Sequence, residues 1–246
     1  MQISSVDTTR TCPELDIINE HLSLDGASII ELGCGAADIT RLIAKGGSDR
    51  RVLALEVDEI QHAANLEITD LDNVVFGLAG AQAIPAADNS ADVIFMFKSL
   101  HHVPLELIPQ AFAEIARVLK PGGLAYISEP VFAGEFNEIL RLFHDEQAVR
   151  EAAFAATCAA VASGQLELVE QLFFNTPLHF TDFEDFEHKV IGVSHTQHSL
   201  SKQVYEQVKA RFANSMGDTG SFAGAAAGAA FTVPVRVDLL RKPGQP

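Results

Sequence analysis

Short, nearly continuous apolar runs alternate along this chain with stretches in which apolar residues return every three or four positions, the pattern of buried strands followed by amphipathic helices. A helix is predicted from Pro13 to about Leu22, because Pro suits an opening turn and Leu15, Ile18 and Leu22 share a face. Ser28 to Leu32 is the first strand and stops at Gly33-Cys34-Gly35. Ile39, Leu42 and Ile43 mark the next helix, which ends near Gly46-Gly47. Val52 to Val57 reads as a second strand, Glu59 to Glu67 as a helix, Asn73 to Phe76 as a third strand and Ala91 to Phe97 as a fourth. A helix carrying Leu107, Phe112, Ile115 and Leu119 ends at Lys120-Pro121-Gly122-Gly123, and Leu124 to Ser128 is the fifth strand. Runs apolar on both faces belong to a parallel sheet covered by helices, so the pattern predicts an α/β fold.

Beyond the fifth strand the alternation breaks. From Val131 to Leu172 the sequence is alanine-rich with Phe136, Ile139, Leu140 and Phe143 at helical spacing, which predicts a helical insertion. It serves either as a cap over the carboxyl edge of the sheet or as a homodimer contact, and its position does not separate the two. Thr181-Asp182-Phe183-Glu184 has the form of a capping box, and Ser201 to Phe212 is a further helix. Gly217 to Ala230 shows no period and is expected to be a mobile small-residue loop. Thr232 to Leu240 forms the last strand, and residues 1–246 make one domain.

Composition narrows the function classes. The chain has 48% hydrophobic and 20% charged residues, a balance that folds. Its 33 acidic residues against 17 basic ones leave a net charge of -16, which disfavours nucleic acid and anionic membrane surfaces as partners. Cys12, Cys34 and Cys158 are odd in number and far apart, as free thiols of a reducing compartment would be. Met1 to Arg10 lacks the apolar core of a signal peptide, and no window approaches the roughly 18 apolar residues of a membrane span. A cytoplasmic protein is expected.

The chemistry concentrates at Glu31-Leu32-Gly33-Cys34-Gly35-Ala36-Ala37-Asp38, between a strand and a helix. Gly33 and Gly35 let the backbone turn tightly and approach a ligand. Glu56, at the end of the next strand, is placed to accept hydrogen bonds from ribose hydroxyls. A dinucleotide site wants a third glycine where this chain has Asp38, so a nicotinamide oxidoreductase is the weaker reading. Glu31 sits badly beside a pyrophosphate and suits a cationic amine.

With these features the segment Ser28 to Pro130 resembles the class I S-adenosylmethionine-dependent methyltransferases, in particular the methyltransferase type 11 group with its E-L-G-x-G-x-G motif. Ala81-Gln82-Ala83-Ile84-Pro85 with Asp88 and Asp92-Val93-Ile94 resembles D-A-x-x-L-P followed by F-D-V-V. Leu100-His101-His102-Val103 resembles L-H-H-V, and Arg117 to Gly123 resembles R-V-L-K-P-G-G. The resemblance implies a Rossmann-like three-layer sandwich with a mostly parallel seven-stranded sheet, its final strand antiparallel. It also implies transfer of a methyl group from S-adenosylmethionine to a small-molecule acceptor, leaving S-adenosylhomocysteine. The alternative is a protein of this fold that binds the cofactor without transfer.

Carried over by position, the resemblance assigns Gly33, Cys34 and Gly35 to the methionine part and Glu56 to the ribose, and Glu31 joins the cofactor residues as the carboxylate that attracts the amine, directly or through water. Val57 takes one adenine face, Ala81 and Gln82 the adenine edge, and Met96, Phe97 and Lys98 border the sulfonium. Two positions depart from the pattern: Ala37 stands where a third glycine is common, and Gly80 where an Asp usually meets the adenine amino group. His101 and His102 are the candidate catalytic residues, since imidazole titrates near neutral pH. The pair recurs in family members with unlike substrates, so at least one imidazole is expected to be structural. His195-Thr196-Gln197-His198 has metal-binding spacing but no evident partner ligands, and no metal is expected. Lys98 is expected in an ion pair. Phe132, Phe136, Phe143 and Phe154 suit an apolar substrate pocket and core packing equally.

Overall fold

The computed structural model describes residues 1–5, 7–193, 198, 200–216 and 228–244. Its elements follow in the order α1 (Glu14–His21), β1 (Ser28–Leu32), α2 (Asp38–Lys45), β2 (Arg51–Glu56), α3 (Glu59–Leu66), β3 (Val74–Leu78) and β4 (Ala91–Phe97). After two short 3-10 turns come α4 (Ile108–Val118), β5 (Leu119–Pro130), α5 (Glu135–Leu140), α6 (Gln147–Ala162) and β6 (Glu167–Phe180). The chain continues through α7 (Phe183–Phe186), a π-helical turn (Glu187–Ile191), α8 (Lys202–Asn214) and β7 (Ala229–Arg241).

The seven strands form one sheet in the order β3-β2-β1-β4-β5-β7-β6. The first five strands of that order run parallel, and β7 lies antiparallel between β5 and β6. Strand order reverses between β1 and β4, which opens a crevice at their carboxyl ends. Strict alternation along β4 explains its apolar run. Phe95 and Phe97 point into a core shared with α1 and α2, while Ile94 and Met96 point into a second core with α4.

α4 ends at Val118 and Leu119, already extended and paired with Ala91, opens β5, so the Lys120-Pro121-Gly122-Gly123 expected to stop the helix lies instead in the irregular start of that strand, with Gly122 at φ 81°. A Cβ at Gly123 would stand 2.9 Å from the Lys120 carbonyl oxygen, so this turn needs glycine twice.

Three further expectations require correction. The helical insertion contains α5 and α6 but ends before Glu167, where β6 begins. A bulge between Leu168 and Glu170 breaks the alternation of β6 and leaves Leu168 and Leu172 at helical spacing, which is why this strand reads as helix. Pro177 is tolerated because β6 is an edge strand. The capping residue before α7 is Asp182, whose Oδ1 accepts a hydrogen bond from the Asp185 N–H at 2.8 Å, one position later than the capping box placed it. The small-residue loop falls mostly on residues 217–227, outside the described residues, and Ala229 and Ala230 already pair with Phe180 and His179 in β7.

The outer halves of β6 and β7 run on to a third core, where Phe180, Phe186, Phe212 and Phe231 pack with Ile139. Among the four phenylalanines singled out in the sequence, Phe136 and Phe143 join this core. Phe132 lies under Arg141 and Arg150, and Phe154 under Arg236. Among the described residues no helix is long and apolar enough to cross a membrane.

Candidate functional site at the carboxyl edge of the sheet

The glycine turn is held from three sides. Gly33 and Cys34 donate their N–H groups to the Leu55 carbonyl at 2.8 and 3.0 Å, and Gly35 donates to Glu56 Oε2 at 2.7 Å. From α3, Asn65 Nδ2 donates to the Gly35 carbonyl at 2.8 Å. Gly33 sits at φ 77°, and a Cβ there would lie 2.7 Å from Ser99 Cβ, whose hydroxyl donates to the Leu32 carbonyl at 2.7 Å. Gly35, at φ 51°, has nothing within 4 Å of where its Cβ would stand, so the space above the turn is open. Ala37 also occupies the left-handed region, at φ 61°, a conformation that a glycine would adopt without strain.

Glu56 is 7% exposed, with both carboxylate oxygens turned to main-chain donors. Oε1 accepts from Val57 and Asp58 at 2.8 and 3.0 Å, and Oε2 accepts from Gly35. Oε2, with a single main-chain donor, keeps lone-pair capacity for a further one. Next to it Val57 is 64% exposed, an apolar surface facing out of a strand end. Ala81 is buried. The Gln82 carboxamide fills the volume that a Cβ at Gly80 would take, so an amide stands where the family pattern has a carboxylate. The residues present therefore fit an adenosine with a cationic methionine tail: a turn free of Cβ atoms, a buried carboxylate for a sugar, an apolar face and an amide edge.

Glu31 is buried and accepts from the Thr40 hydroxyl at 2.6 Å. Burial pushes its carboxyl up to about 8, with the Glu56 and Glu14 charges adding to the shift. Burial likewise pushes the Cys34 thiol up to about 12, which leaves it a packed, unreactive group. Met96 and Phe97 bury their side chains in the two cores. Lys98, at φ 54°, places Nζ 3.5 Å from the buried carboxylate of Glu14 on α1.

Beyond Lys98 a cavity of about 570 Å³ opens between α1, the insertion and the outer halves of β6 and β7. His101 and His102 form its floor with rings 4.1 Å apart. His101 is buried, its Nδ1 2.5 Å from Glu129 Oε2 and its Nε2 3.5 Å from Glu146 Oε1. The two carboxylates raise its pKa to about 9 against the opposing effect of burial. Glu146 is held well below the usual carboxylate range by His101 and Arg150 despite its burial. Its Oε1 lies 2.9 Å from His144 Nε2 and its Oε2 2.5 Å from Arg150 Nη2. His102 is exposed toward the cavity.

The sequence singled out neither Asn65, Ser99, Glu129 nor Glu146. Glu129 could have been suspected from its place at a strand end on the carboxyl edge. Glu146 and Arg150 have the spacing of an ordinary helix-surface pair, and only folding buries them. His195, Thr196 and Gln197 lie outside the described residues, while His198 borders the same cavity, its ring 4.7 Å from that of His144.

Residues 30–127 match the family model described as a methyltransferase domain. A methyltransferase of Mycobacterium avium is 30% identical over 132 residues, covering 54% of this chain and 51% of the relative. The ubiquinone/menaquinone biosynthesis C-methyltransferase UbiE of Hahella chejuensis is 33% identical over 125 residues, 49% of each chain. The chain thus spans about half the length of the curated relatives it matches. Among solved structures, the YcgJ protein of Bacillus subtilis shares the fold with a TM-score of 0.57 at 16% identity, covering 94% of this chain and 98% of that one.

Proposed function

We propose that this chain, whose residues 30–127 match a methyltransferase domain, works as a class I S-adenosylmethionine-dependent enzyme that transfers a methyl group to a small-molecule acceptor seated in the cavity beside His102. The observation that carries this reading is the junction of Glu56 with the Gly35 turn. A buried carboxylate ends β2, one strand from the crevice where the order reverses between β1 and β4, and holds the Gly35 turn beneath open space that no Cβ intrudes upon.

In this reading Gly33, Cys34 and Gly35 hold the methionine part, with Glu31 beneath them. Glu56 accepts from the ribose hydroxyls, Val57 covers one adenine face, and Gln82 with Ala81 borders the adenine edge. When bound, S-adenosylmethionine supplies an already activated methyl group, so the protein's contribution is alignment and exclusion of water. Met96, Phe97 and Lys98, at the end of β4, border the sulfonium. Both ring nitrogens of His101 face carboxylates, which suits a positioning residue. His102 opens onto the cavity and is placed to take a proton from the acceptor.

Calorimetric titration with S-adenosylmethionine, S-adenosylhomocysteine and NAD tests the cofactor. Both sulfur compounds are expected to bind, and Gly35→Arg and Glu56→Ala are expected to weaken them by at least about tenfold, the loss of a charge-assisted hydrogen bond of ~1.5–3 kcal/mol. Binding of NAD alone would overturn the reading. Binding of both sulfur compounds with no S-adenosylhomocysteine formed across a broad acceptor panel would favour a cofactor-binding protein without transfer.

A further inference from the structure

We propose that His101, His102 and Glu146 form a divalent transition-metal site on the floor of the acceptor cavity, of the kind that takes Zn2+. Their donor atoms, one from each residue, all lie within 4.8 Å of one another. Two imidazoles and one carboxylate are a donor set suited to Zn2+ or Co2+ rather than to Mg2+ or Ca2+. Ligand atoms about 2.0–2.1 Å from a tetrahedral ion stand roughly 3.3 Å apart. The Nε2 of His101 and Oε1 of Glu146 are 3.5 Å apart, close to that edge and longer than a charge-assisted hydrogen bond of about 2.7–2.9 Å.

The surrounding contacts orient these donors. Glu129 Oε2 holds His101 Nδ1 at 2.5 Å, and Glu129 Oε1 accepts from the Leu100 N–H at 3.0 Å, so the carboxylate is fixed and His101 presents Nε2. This is the carboxylate-histidine arrangement that sets ring orientation at metal centres. On the other ligand, Arg150 engages Oε2 of Glu146, leaving Oε1 turned toward the imidazoles, with His144 Nε2 also 2.9 Å away. Arg150 is in turn steadied by Asn137 Oδ1 at 3.2 Å. His101 and Glu146 are each buried to more than nine-tenths, whereas His102 closes the trio from the solvent side. Three protein ligands facing a cavity leave a coordination position open, the mark of a catalytic centre rather than a structural one. With the ion bound His102 serves as a ligand in place of a base, and an acceptor hydroxyl or other oxygen coordinated at the open position would lose its proton to water more readily. That role rests on the methyl-transfer reading, while the site itself does not.

The test uses untagged full-length protein freed of metal by a chelator, titrated with Co2+ in the absence of S-adenosylmethionine. One Co2+ per chain is expected to give the intense visible absorption of a four- or five-coordinate ion, and Zn2+ should displace it. His102→Ala, at an exposed position, is expected to abolish that absorption with an unchanged far-ultraviolet circular dichroism spectrum. Glu129→Gln should weaken binding by about 10–100-fold through loss of ring orientation. Weak six-coordinate absorption, or an intense band unchanged in His102→Ala, would overturn the site. Neither result depends on cofactor binding, so failure here and failure of the methyl-transfer reading are separable.

Discussion

At the scale of single residues, the glycine turn separates positions that need glycine from one that does not. Gly33 combines a left-handed backbone with a contact to Ser99 that leaves no room for a methyl group. Gly33→Ala is expected to cost about 2–4 kcal/mol, backbone strain of ~1–2 adding to overpacking of ~1–3. Ala37→Gly should stay within about 1 kcal/mol of the parent, since relief of strain is offset by a lost buried methyl and a freer unfolded chain. Urea denaturation midpoints of the two variants check the contrast. Glu31 makes a different prediction. Burial favours its protonated form, so the folded protein keeps a proton that the unfolded chain releases near the ordinary value of 4.5. The stabilisation is fully present below about 4.5 and is lost as pH rises to about 8. Stability compared with Glu31→Gln across that window, without cofactor, should show the parent losing ground steadily. A constant difference between the two would refute the shift.

Among the elements, the last turn of α3 helps to fix the shape of the glycine turn. Asn65 is 1% exposed, receives Gln61 Nε2 on its own oxygen at 3.0 Å and donates to the Gly35 carbonyl. Asn65→Ala strands that carbonyl and is expected to cost ~1–3 kcal/mol of stability. Because the loss falls on the turn, cofactor affinity should drop several-fold while the far-ultraviolet spectrum stays the same. Calorimetry beside a denaturation curve checks both effects, and unchanged affinity would show that the turn is held from β1 and β2 alone. The elements were also where the sequence was most and least legible. β1, β2 and β4 are buried on both faces, so their apolar runs announce them. By contrast β6 is an edge strand with a bulge, and nothing in its local pattern reveals the partner strand that makes it extended.

At the scale of the whole molecule, β6 and β7 tie the two central cores to the third, aromatic one. Continuous strands through both regions should make them unfold together. The chain supplies its own reporters: it has two tyrosines and no tryptophan, with Tyr126 buried against Phe95 and Phe97, and Tyr205 on α8 beside Phe183. Fluorescence of Tyr126→Phe follows the aromatic core, and that of Tyr205→Phe follows the central one. Each curve, set against circular dichroism of the same variant, is expected to show coincident urea midpoints. An earlier loss of the Tyr205 signal would mark the aromatic core as a separately unfolding unit.

What the sequence by itself determined is whatever local chemistry carries: the βα alternation, the glycine turn, the carboxylate at position 56 and the motifs from Ser28 to Pro130. Those features depend on residues near one another in the chain, where periodicity and conformational preference act directly. The tertiary structure alone decided the pairing of β6 with β7, the burial of Glu31, and the gathering of His101, His102, His144 and Glu146 around one cavity. The reason is physical: hydrogen bonds between distant strands and the desolvation of charged groups arise only when segments far apart in sequence close upon each other.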